Sequence, residues 1–548
     1  MWQATASACR KVTEETRSVN STLSSLLSSL AREHGGAPAL TLGERTITFS
    51  ELDSTASLVA DALTAAQIQP GDRVAILDKN SIEYFEVLFG AGRAGAVVVG
   101  VNYRLCAQEI RTLILDSRPR VLFVSPDLEH LSAELGADLL EGLTIVRLGP
   151  DFEIWCQAAA QTAGAWRPDA TVAEDDVVLQ MYSSGTTGLP KGVMLTHRNL
   201  SFTPRMGREF YGMHQETVNL LTSPLFHIGG AGYALTTLGQ GGHTILVRDF
   251  VASAVLEDIQ RHRVTNMFLV PATIDMLIAE SKNREYDLSS IALIAYGGAP
   301  ITIQQLLAAF AAFDCDFMAV YGMTEAAGTV TCLPPSDHEL NGERSHLLGS
   351  IGKSLPWHEI RIIDPATGLE ARSGLVGEVC IRSEQNMAGY WNQPEMTKEA
   401  LDADGWLHTG DAGYCDGEGY IFLKDRIKDM IISGGENIYS IEVENVLMQH
   451  PDVREVAVIG IPHEKWGETV RAMVVPVAGR VVTEVEIVEF CRSSLARYKC
   501  PTTVQFIDAL PRNASGKLLK RVLRENALEP ENPQIVPNLA SSSSAVRS

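Results

Sequence analysis

The sequence predicts an α/β protein with largely parallel sheets, and three observations support this. Short apolar runs such as Arg73–Leu77 alternate with segments of helical periodicity. Several of these runs end in turns rich in glycine, proline or hydroxyl side chains, which is where strands of such sheets carry ligands. The chain has 548 residues, 45% hydrophobic and 20% charged, so we expect at least two globular domains.

Composition also excludes some classes of function. The net charge of −22 argues against nucleic acid as a partner, although local donors and a metal ion can still bind a nucleotide. The nine cysteines form no C-x-x-C pair, which favours reduced thiols in a cytoplasmic protein and argues against zinc. No apolar run reaches the roughly 18–20 residues of a membrane span.

The N-terminal part of the chain shows the predicted alternation. Leucines from Leu23 to Leu30 repeat at helical spacing, and Ile47 and Phe49 then form a short strand. Ser50 and Asp53 resemble a capping box, which opens a helix reaching about Ala66. The next predicted strands are Arg73–Leu77, Ala96–Val101, Val121–Ser125 and Val177–Met181.

A second set of strands is expected further along. They are Val218–Thr222, Thr244–Val247, Met267–Val270, Ile291–Tyr296 and Phe317–Val320. All but one lead into a turn, namely Ser223-Pro224, Pro271, Gly297–Pro300 and Gly322–Glu325. Because parallel strands end at one edge of their sheet, we expect these turns to converge on one cleft.

The sequence pattern changes in the C-terminal half of the chain. Short β-like pieces with many glycines over 349–420 predict a smaller barrel-like subdomain. The charged run at 425–428 is the expected domain boundary. We therefore expect a large N-terminal domain over 1–424, a hinge at 425–428, an α+β domain over 429–530 and a disordered tail over 531–548.

The chain is organised around one loop, which follows the strand Val177–Met181. Within 183–191 lie four hydroxyl side chains, two glycines and Lys191. Glycines let consecutive backbone N–H groups point into one concavity, and hydroxyl and ammonium groups add donors, so the loop is typical of a phosphate cradle. Its spacing, G-x-x-G-x-x-K-G, is not that of a Walker motif.

Further motifs accompany this loop. They are YSSGTTGLPKGV (182–193), SPLFHIGG (223–230), YGMTE (321–325), LHTGDAG (407–413), GYIFLKDRIKDMIISGGENIYSIEVE (419–444) and PRNASGKLLKR (511–521). In this order they resemble the adenylate-forming superfamily, which includes acyl-CoA synthetases, carrier-linked adenylation domains and firefly-type luciferases. The resemblance implies two mixed β-sheets flanked by helices and a small β-barrel subdomain in the N-terminal domain, followed by a small, mobile α+β C-terminal domain.

The resemblance implies the reaction as well. ATP first adenylates a carboxylic acid, releasing pyrophosphate, and a thiol then displaces AMP. Such chemistry depends on positioning and on charge neutralisation. The residues implied to bind ATP, AMP or pyrophosphate are Ser183, Ser184, Gly185, Thr186, Thr187, Gly188, Lys191, Gly298, Ala299, Tyr321, Gly322, Thr324, Asp411, Arg426 and Lys517. Tyr321 would stack on adenine, and Asp411 would accept hydrogen bonds from the ribose hydroxyls.

Four of these residues take catalytic roles in the resemblance: Thr186, Lys191, Glu325 and Lys517. Glu325 would hold Mg²⁺, a hard cation suited to one carboxylate together with phosphates. Lys517 would bridge the carboxylate and the α-phosphate as a compact charge on a long stem.

The same resemblance implies that the C-terminal domain rotates about a hinge at Lys428 between the two half-reactions. Residues implied to contact coenzyme A are Gly434, Gly435 and Trp466.

The implied acid pocket is lined by His227, Gly230, Tyr296, Gly297, Ala319, Val320 and Met323. These positions include no lysine or arginine that could pair with a second carboxylate, so an apolar monocarboxylic acid is expected. A medium- or long-chain fatty acid and CoA are favoured as substrates. Alternatives are an aromatic, alicyclic or steroid-derived acid, an acyl carrier protein as acceptor, and a degenerate binding protein. Oligomeric state stays open, a homodimer included.

Overall fold

The computed structural model describes residues 22–136, 139, 141–160, 172–183, 191–434, 436–512 and 518–528. The chain divides into two compact units, Met1–Ile427 and Lys428–Ser548. Bending of the segment 425–428 as a hinge stays a prediction. The predicted tail at 531–548 lies outside the described residues.

The strands within the described residues are, in chain order, β1 (Pro38–Leu42), β2 (Arg45–Thr48), β3 (Arg73–Leu77), β4 (Val97–Gly100), β5 (Val121–Val124), β6 (Thr144–Arg147), β7 (Val177–Ser183), β8 (Lys191–Thr196), β9 (Val218–Leu221), β10 (His243–Leu246), β11 (Asn266–Leu269), β12 (Leu293–Gly297), β13 (Asp316–Met323), β14 (Gly328–Leu333), β15 (Lys353–Ser354), β16 (Glu359–Ile363), β17 (Gly377–Arg382), β18 (Gly389–Tyr390), β19 (Trp406–Cys415), β20 (Ile421–Arg426), β21 (Ile431–Ser433), β22 (Glu436–Ile438), β23 (Val453–His463), β24 (Gly467–Pro476) and β25 (Thr503–Phe506).

The α-helices of the same residues are α1 (Leu23–His34), α2 (Phe49–Ala65), α3 (Ile82–Ala94), α4 (Ala107–Ser117), α5 (Glu129–Ala133), α6 (Pro150–Ala160), α7 (His197–Leu200), α8 (Thr203–Glu209), α9 (Ile228–Leu238), α10 (Ala252–His262), α11 (Pro271–Ser281), α12 (Ile303–Ala312), α13 (Pro394–Ala400), α14 (Ser440–Leu447), α15 (Glu484–Arg492) and α16 (Lys520–Leu528).

Two large mixed sheets form the core of the first unit. One has the strand order β15-β14-β13-β12-β11-β9-β10-β1-β2, and its strands β13 to β1 along this order are parallel. The other has the order β18-β8-β7-β4-β3-β5-β6, with β8 antiparallel to both of its neighbours, β18 and β7. The largest apolar core joins residues of both sheets with helices α1, α2, α3 and α9. The α/β prediction is thus confirmed.

Two smaller sheets complete the fold. The region expected to be barrel-like contains a four-stranded antiparallel sheet, in the order β16-β17-β19-β20. The second unit has the order β22-β21-β24-β23, with β25 beside β24, and its core is packed by α14 and α15.

The first capping box was placed wrongly. Phe49 is the first residue of α2 rather than part of a strand, and Thr48 and Glu51 form the box instead of Ser50 and Asp53. Thr48 also satisfies the spacing of a capping box, and the choice of Thr48 buries Phe49 completely. Packing therefore decides between two locally similar caps.

Candidate active site

The predicted phosphate loop connects β7 and β8, which pair in an antiparallel hairpin. Ser183 lies opposite Lys191 at the base of this loop. The five intervening site residues of the prediction, Ser184, Gly185, Thr186, Thr187 and Gly188, lie outside the described residues. The described geometry therefore concerns the base of the loop.

A polar network supports this hairpin. Arg73 donates to Gln180 (3.3 Å), Gln180 donates to the hydroxyl of Tyr182 (3.0 Å), and Tyr182 donates to Asp116 (2.6 Å). The guanidinium of Arg73 also lies 3.3 Å from the ring centroid of Trp391. Burial and the neighbouring Asp116 carboxylate raise the pKa of Tyr182, so its phenol remains a donor. Sequence analysis missed this network because its members are spread over more than 300 residues without a common motif.

Glu325 connects the hairpin to the end of β13. Its buried carboxylate accepts a hydrogen bond from Tyr390 (3.1 Å) and one from Ser183 (3.4 Å). The ammonium of Lys191 lies 4.8 Å from the ring centroid of Tyr390. Tyr390, on β18, was not predicted, although it joins Glu325 to the β8 strand that carries Lys191.

Glu325 is suited to hold a divalent cation. Within the described part of the chain its carboxylate forms no ion pair with a lysine or an arginine, and a buried carboxylate without a cation is costly. One carboxylate beside a phosphate-binding loop is the protein contribution that Mg²⁺ commonly receives. When bound, Mg²⁺ would neutralise phosphate charge at this position.

Asp411 lies at the centre of a second cluster. One of its carboxylate oxygens accepts from the Tyr321 hydroxyl at 2.7 Å, and the other pairs with Nε of Arg426 at 2.7 Å. Burial, and secondly the Asp411 charge, raises the pKa of Tyr321 well above its ordinary value. The structure thus brings together Tyr321, Asp411 and Arg426, three residues predicted to bind the nucleotide. The hydrogen bond of its hydroxyl fixes the ring of Tyr321.

The strand that carries Asp411 is held by its neighbour. Glu378 accepts from the backbone N–H of Gly410 (3.0 Å) and pairs with Nδ1 of His408 (2.8 Å). Cys380 lies beside them, so the trio has metal-ligating side chains. However, burial raises the pKa of the Cys380 thiol to about 12, and the other two residues already satisfy each other. We interpret the trio as support for Asp411.

The turns after β12 and β13 carry the other predicted nucleotide residues. Gly298 adopts the left-handed conformation (φ 77°), and it and Ala299 are exposed. Gly297 and Gly322 have no room for a side chain, because a Cβ would lie 2.2 Å from Val320 O and 1.9 Å from Gly328 O. Thr324 begins the short 3-10 turn that contains Glu325.

Helix α9 borders an apolar cluster that we call the α9 compartment. Its buried members are Met206, Tyr211, Met213, Tyr233, Leu293, Ala295, Met318, Val320, Cys332 and Leu355, with Phe210, Phe268 and Trp357 packed against them. Of the predicted pocket residues, Val320 belongs to this compartment. Tyr296 and Ala319 belong to the core on the opposite face of the sheet, because side chains alternate along β12 and β13.

Three further pocket residues lie near the start of α9 and the end of β13. Met323 packs partly against the largest core. Gly230 lies so close to Pro224 that a Cβ would be 2.2 Å from its carbonyl oxygen.

His227 precedes α9, and its Nε2 has no hydrogen-bond partner among the described residues. Burial lowers the pKa of His227 to about 4, so its imidazole is neutral at pH 7.

The second unit contains the predicted coenzyme A residues and Lys428, which is its first residue. Gly434 has φ 60°, its N–H donates to the carbonyl of Trp466 (2.8 Å), and the indole covers it. Trp466 is 46% exposed, and the ammonium of Lys465 lies 4.5 Å from its ring centroid. Gly435 and Lys517 lie outside the described residues.

Comparisons with known proteins show the family of this chain. The family model described as AMP-binding enzyme matches residues 27–391, and the one described as AMP-binding enzyme C-terminal domain matches 442–517. A fatty acid–[acyl-carrier-protein] ligase from Streptomyces coeruleorubidus is 39% identical, over 90% of this chain and 94% of the relative. A feruloyl-CoA synthase from an Amycolatopsis species is 40% identical, over 90% and 96%.

A solved structure is similar as well. The ATP-bound MatB from Rhodopseudomonas palustris superposes with a TM-score of 0.83 at 31% identity, covering 92% of this chain and 99% of that one. Among the described residues, no helix is both long and apolar enough to cross a membrane. The chain belongs to the AMP-binding enzyme family and, within it, to the adenylate-forming acid–CoA ligases, which use ATP, Mg²⁺ and coenzyme A.

Proposed function

We propose that this chain activates an apolar monocarboxylic acid as its acyl adenylate and transfers the acyl group to CoA, with medium- and long-chain fatty acids favoured. The observation that carries the proposal is the junction at Glu325. There Ser183 of the phosphate-loop hairpin and Tyr390 of the adjoining strand β18 both donate to Glu325, which closely follows β13, the strand that carries Tyr321. An adenylation reaction needs residues that bind the triphosphate and residues that bind the nucleoside on neighbouring elements.

In the proposed reaction, a carboxylate oxygen attacks the α-phosphorus of ATP and pyrophosphate leaves. Lys191, Ser183 and the loop between β7 and β8 would bind the departing phosphates, while Asp411 and Tyr321 hold the nucleoside. The thiol of CoA then loses its proton and attacks the acyl carbonyl carbon, and AMP leaves. Lys517 would stabilise charge in the first step, and Lys428 would serve as the hinge residue.

The preference for a monocarboxylate rests on charge. Arg93 is the one arginine or lysine that is fully buried in the described part of the chain, and it pairs with Asp53 of α2 rather than facing the α9 compartment. Arg205, whose guanidinium lies 4.7 Å from the ring centroid of Trp357 beside the compartment, is already paired with Glu209. A second carboxylate among the buried members of the compartment would therefore lack a free cationic partner, and burying an unpaired charge is costly.

An aromatic acid is the second candidate. The rings of Tyr211, Tyr233 and Phe268 form a continuous series, with centroids 5.1 and 5.7 Å apart. Such an aromatic wall suits an aryl group as well as an alkyl chain. The similarity to a feruloyl-CoA synthase supports this candidate, and the similarity to a carrier-protein ligase supports an acyl carrier protein as an alternative acceptor.

The test is a pyrophosphate-release assay over fatty, aryl and dicarboxylic acids, with and without CoA or a carrier protein. We expect release with apolar monocarboxylates, no comparable release with dicarboxylates, and thioester only when a thiol acceptor is present. No conversion of ATP to AMP with any acid would refute the proposal.

Lys517→Ala separates the two half-reactions. We expect this variant to lose pyrophosphate release from ATP and acid, yet to retain CoA transfer from supplied acyl adenylate, because its charge is proposed to act in the first step alone. Loss of both half-reactions to the same extent would contradict this role. Lys520→Ala in the same segment is the control, because Lys520 is paired with Glu444 and lies outside the proposed site.

A further inference from the structure

Three buried polar side chains near α9 lack hydrogen-bond partners among the described residues. They are the hydroxyl of Tyr233, both amide atoms of Asn219 and the hydroxyl of Thr244. Asn219 and Thr244 are completely buried, and Tyr233 is 5% exposed. Buried polar groups in native proteins are nearly always satisfied, so each of these groups calls for an explanation.

Asn219 and Thr244 lie on one face of the nine-stranded sheet, whereas Tyr233 belongs to helix α9. Asn219 on β9 lies directly opposite Thr244 on β10 and Asn266 on β11. Phe268, two residues after Asn266, therefore points to the same face. Phe268 packs against Tyr233 of α9, so this row of polar groups borders the α9 compartment.

The row lies at the end of the compartment remote from the nucleotide residues. Tyr321 lies near the carboxyl end of β13 and Glu325 just beyond it, whereas Asn219 and Asn266 lie at the amino ends of β9 and β11. Helix α9 begins near the carboxyl ends, and Tyr233 lies four residues after Gly229, about 6 Å further along. An acyl group that starts at an adenylate and follows α9 would therefore reach Tyr233 and then Asn219.

Tyr211 provides an internal comparison. Its ring packs against that of Tyr233, but its hydroxyl is paired with Thr329 (2.9 Å) and its carbonyl oxygen accepts from Asn266. The phenol of Tyr211 therefore has a hydrogen-bond partner, whereas that of Tyr233 has none among the described residues. Burial raises the pKa of Tyr233 well above its usual value, so its hydroxyl stays protonated and can donate.

We propose that the acid substrate carries an oxygen-bearing group, a hydroxyl or a carbonyl, at the end remote from its carboxylate, and that Tyr233 together with Asn219 binds this group. The inference rests on the proposed acid-activating function and specifies its substrate class. The middle of the acyl group is apolar, matching Phe268 and Val320, and only its far end is polar. An ω-oxygenated fatty acid and a ring-hydroxylated aryl acid share this chemistry.

The test compares matched acids in the pyrophosphate-release assay. One pair is octanoate and its ω-hydroxy derivative, and the other is cinnamate and para-coumarate. A site that binds a substrate hydroxyl rejects the analogue without it, since its own polar groups are then left unpaired. For at least one pair we expect kcat/KM to favour the oxygenated acid by about tenfold or more, and the pair that shows this preference identifies the acyl type.

Two conservative variants identify the residue responsible. Tyr233→Phe should bring the preference close to one, while Tyr211→Phe should retain it because its hydroxyl is occupied by Thr329. Tyr233→Phe should also keep or raise the melting temperature, whereas Tyr211→Phe should lower it, since only Tyr211 loses an internal hydrogen bond.

A plain acid preferred in both pairs would overturn the inference, and so would an unchanged preference in Tyr233→Phe. Pyrophosphate release absent with every acid of the wider panel would overturn the proposed function itself.

Discussion

At the residue scale, the side chains proposed to bind the nucleotide hold one another in position, independently of the nucleotide. Both carboxylate oxygens of Asp411 have a donor, one from Tyr321 and one from Arg426. Each carboxylate oxygen has two lone pairs, so both can still accept a ribose hydroxyl. Two rigid partners reduce the side-chain entropy that binding would otherwise cost.

Replacing Asp411 tests the ribose assignment. Asp411→Asn should weaken ATP binding by about 1.5–3 kcal/mol, roughly ten- to a hundredfold, because charge-assisted hydrogen bonds are lost. The measurement is the dissociation constant of ATP by calorimetry. Asp404→Asn, an exposed residue in the turn before β19, is the matched control and should leave that constant unchanged. Equal ATP affinity in the Asp411 variant and the unmodified protein would refute the assignment.

Glu325 offers a separate test of the cation site. Glu325→Gln should raise the Mg²⁺ concentration that gives half-maximal pyrophosphate release by at least about tenfold, because the neutral amide is a poor ligand for a hard cation. Tyr390→Phe keeps the carboxylate and removes one of its hydrogen bonds, so its shift should be smaller. A Mg²⁺ titration that the Glu325 variant leaves unchanged would be incompatible with the proposed role.

At the element scale, periodicity and turn chemistry predicted most strands of the two large sheets within a residue or two. Arg73–Leu77 is β3 with the same bounds, and Val218–Leu221 is one residue shorter than predicted. These strands are short apolar runs buried on both faces, so local sequence alone indicates them. The order of strands in the sheets came from the resemblance and the structure, since nothing local encodes it.

The contacts that support the site could not be predicted in this way. Tyr390 reaches Glu325 from a two-residue strand, and Trp391 reaches Arg73 across the seven-stranded sheet. Side-chain partners so distant in sequence leave no spacing pattern. By contrast, the sequence could have predicted that Tyr296 and Val320 lie on opposite faces of the sheet, because side chains alternate between the two faces along each strand.

Tyr321 lies in the hairpin of β13 and β14, next to Gly322, where the structure requires a glycine. In Gly322→Ala the new Cβ would lie 1.9 Å from Gly328 O, so the strands must separate. We expect a loss of about 1–3 kcal/mol in the free energy of unfolding, measured by urea denaturation, together with weaker ATP binding. Gly349→Ala is the control, since its Cβ would have no neighbour within 4 Å, and its stability should change little. Equal stability of the two variants would contradict the packing argument.

At the scale of the whole molecule, the first unit buries several titratable groups in their neutral form. Burial lowers the pKa of His197, His227, His243 and His358 to about 4. Burial acts in the opposite sense on Glu86, whose pKa rises to about 7. The four histidines therefore resist protonation in the folded state, and Glu86 is protonated at a higher pH than an ordinary glutamate.

These shifts predict acid sensitivity. Between about pH 6.5 and pH 4 the unfolded chain protonates its histidines while the folded chain does not, so stability falls as pH falls. The most buried, His197 and His358, should each contribute about 2 kcal/mol of this loss between pH 7.5 and pH 5. Glu86 offsets part of it, because the folded state binds that proton first.

The measurement is urea unfolding of the full chain at pH 7.5, 6 and 5, followed by tryptophan fluorescence, to which Trp155, Trp357 and Trp406 of the first unit contribute. We expect the midpoint to fall steadily over this range. His243→Gln should reduce the slope, because one buried neutral imidazole is removed. A midpoint that is constant or higher at pH 5 would mean that these imidazoles are protonated in the folded protein, and the first unit would then have to solvate or pair four buried charges.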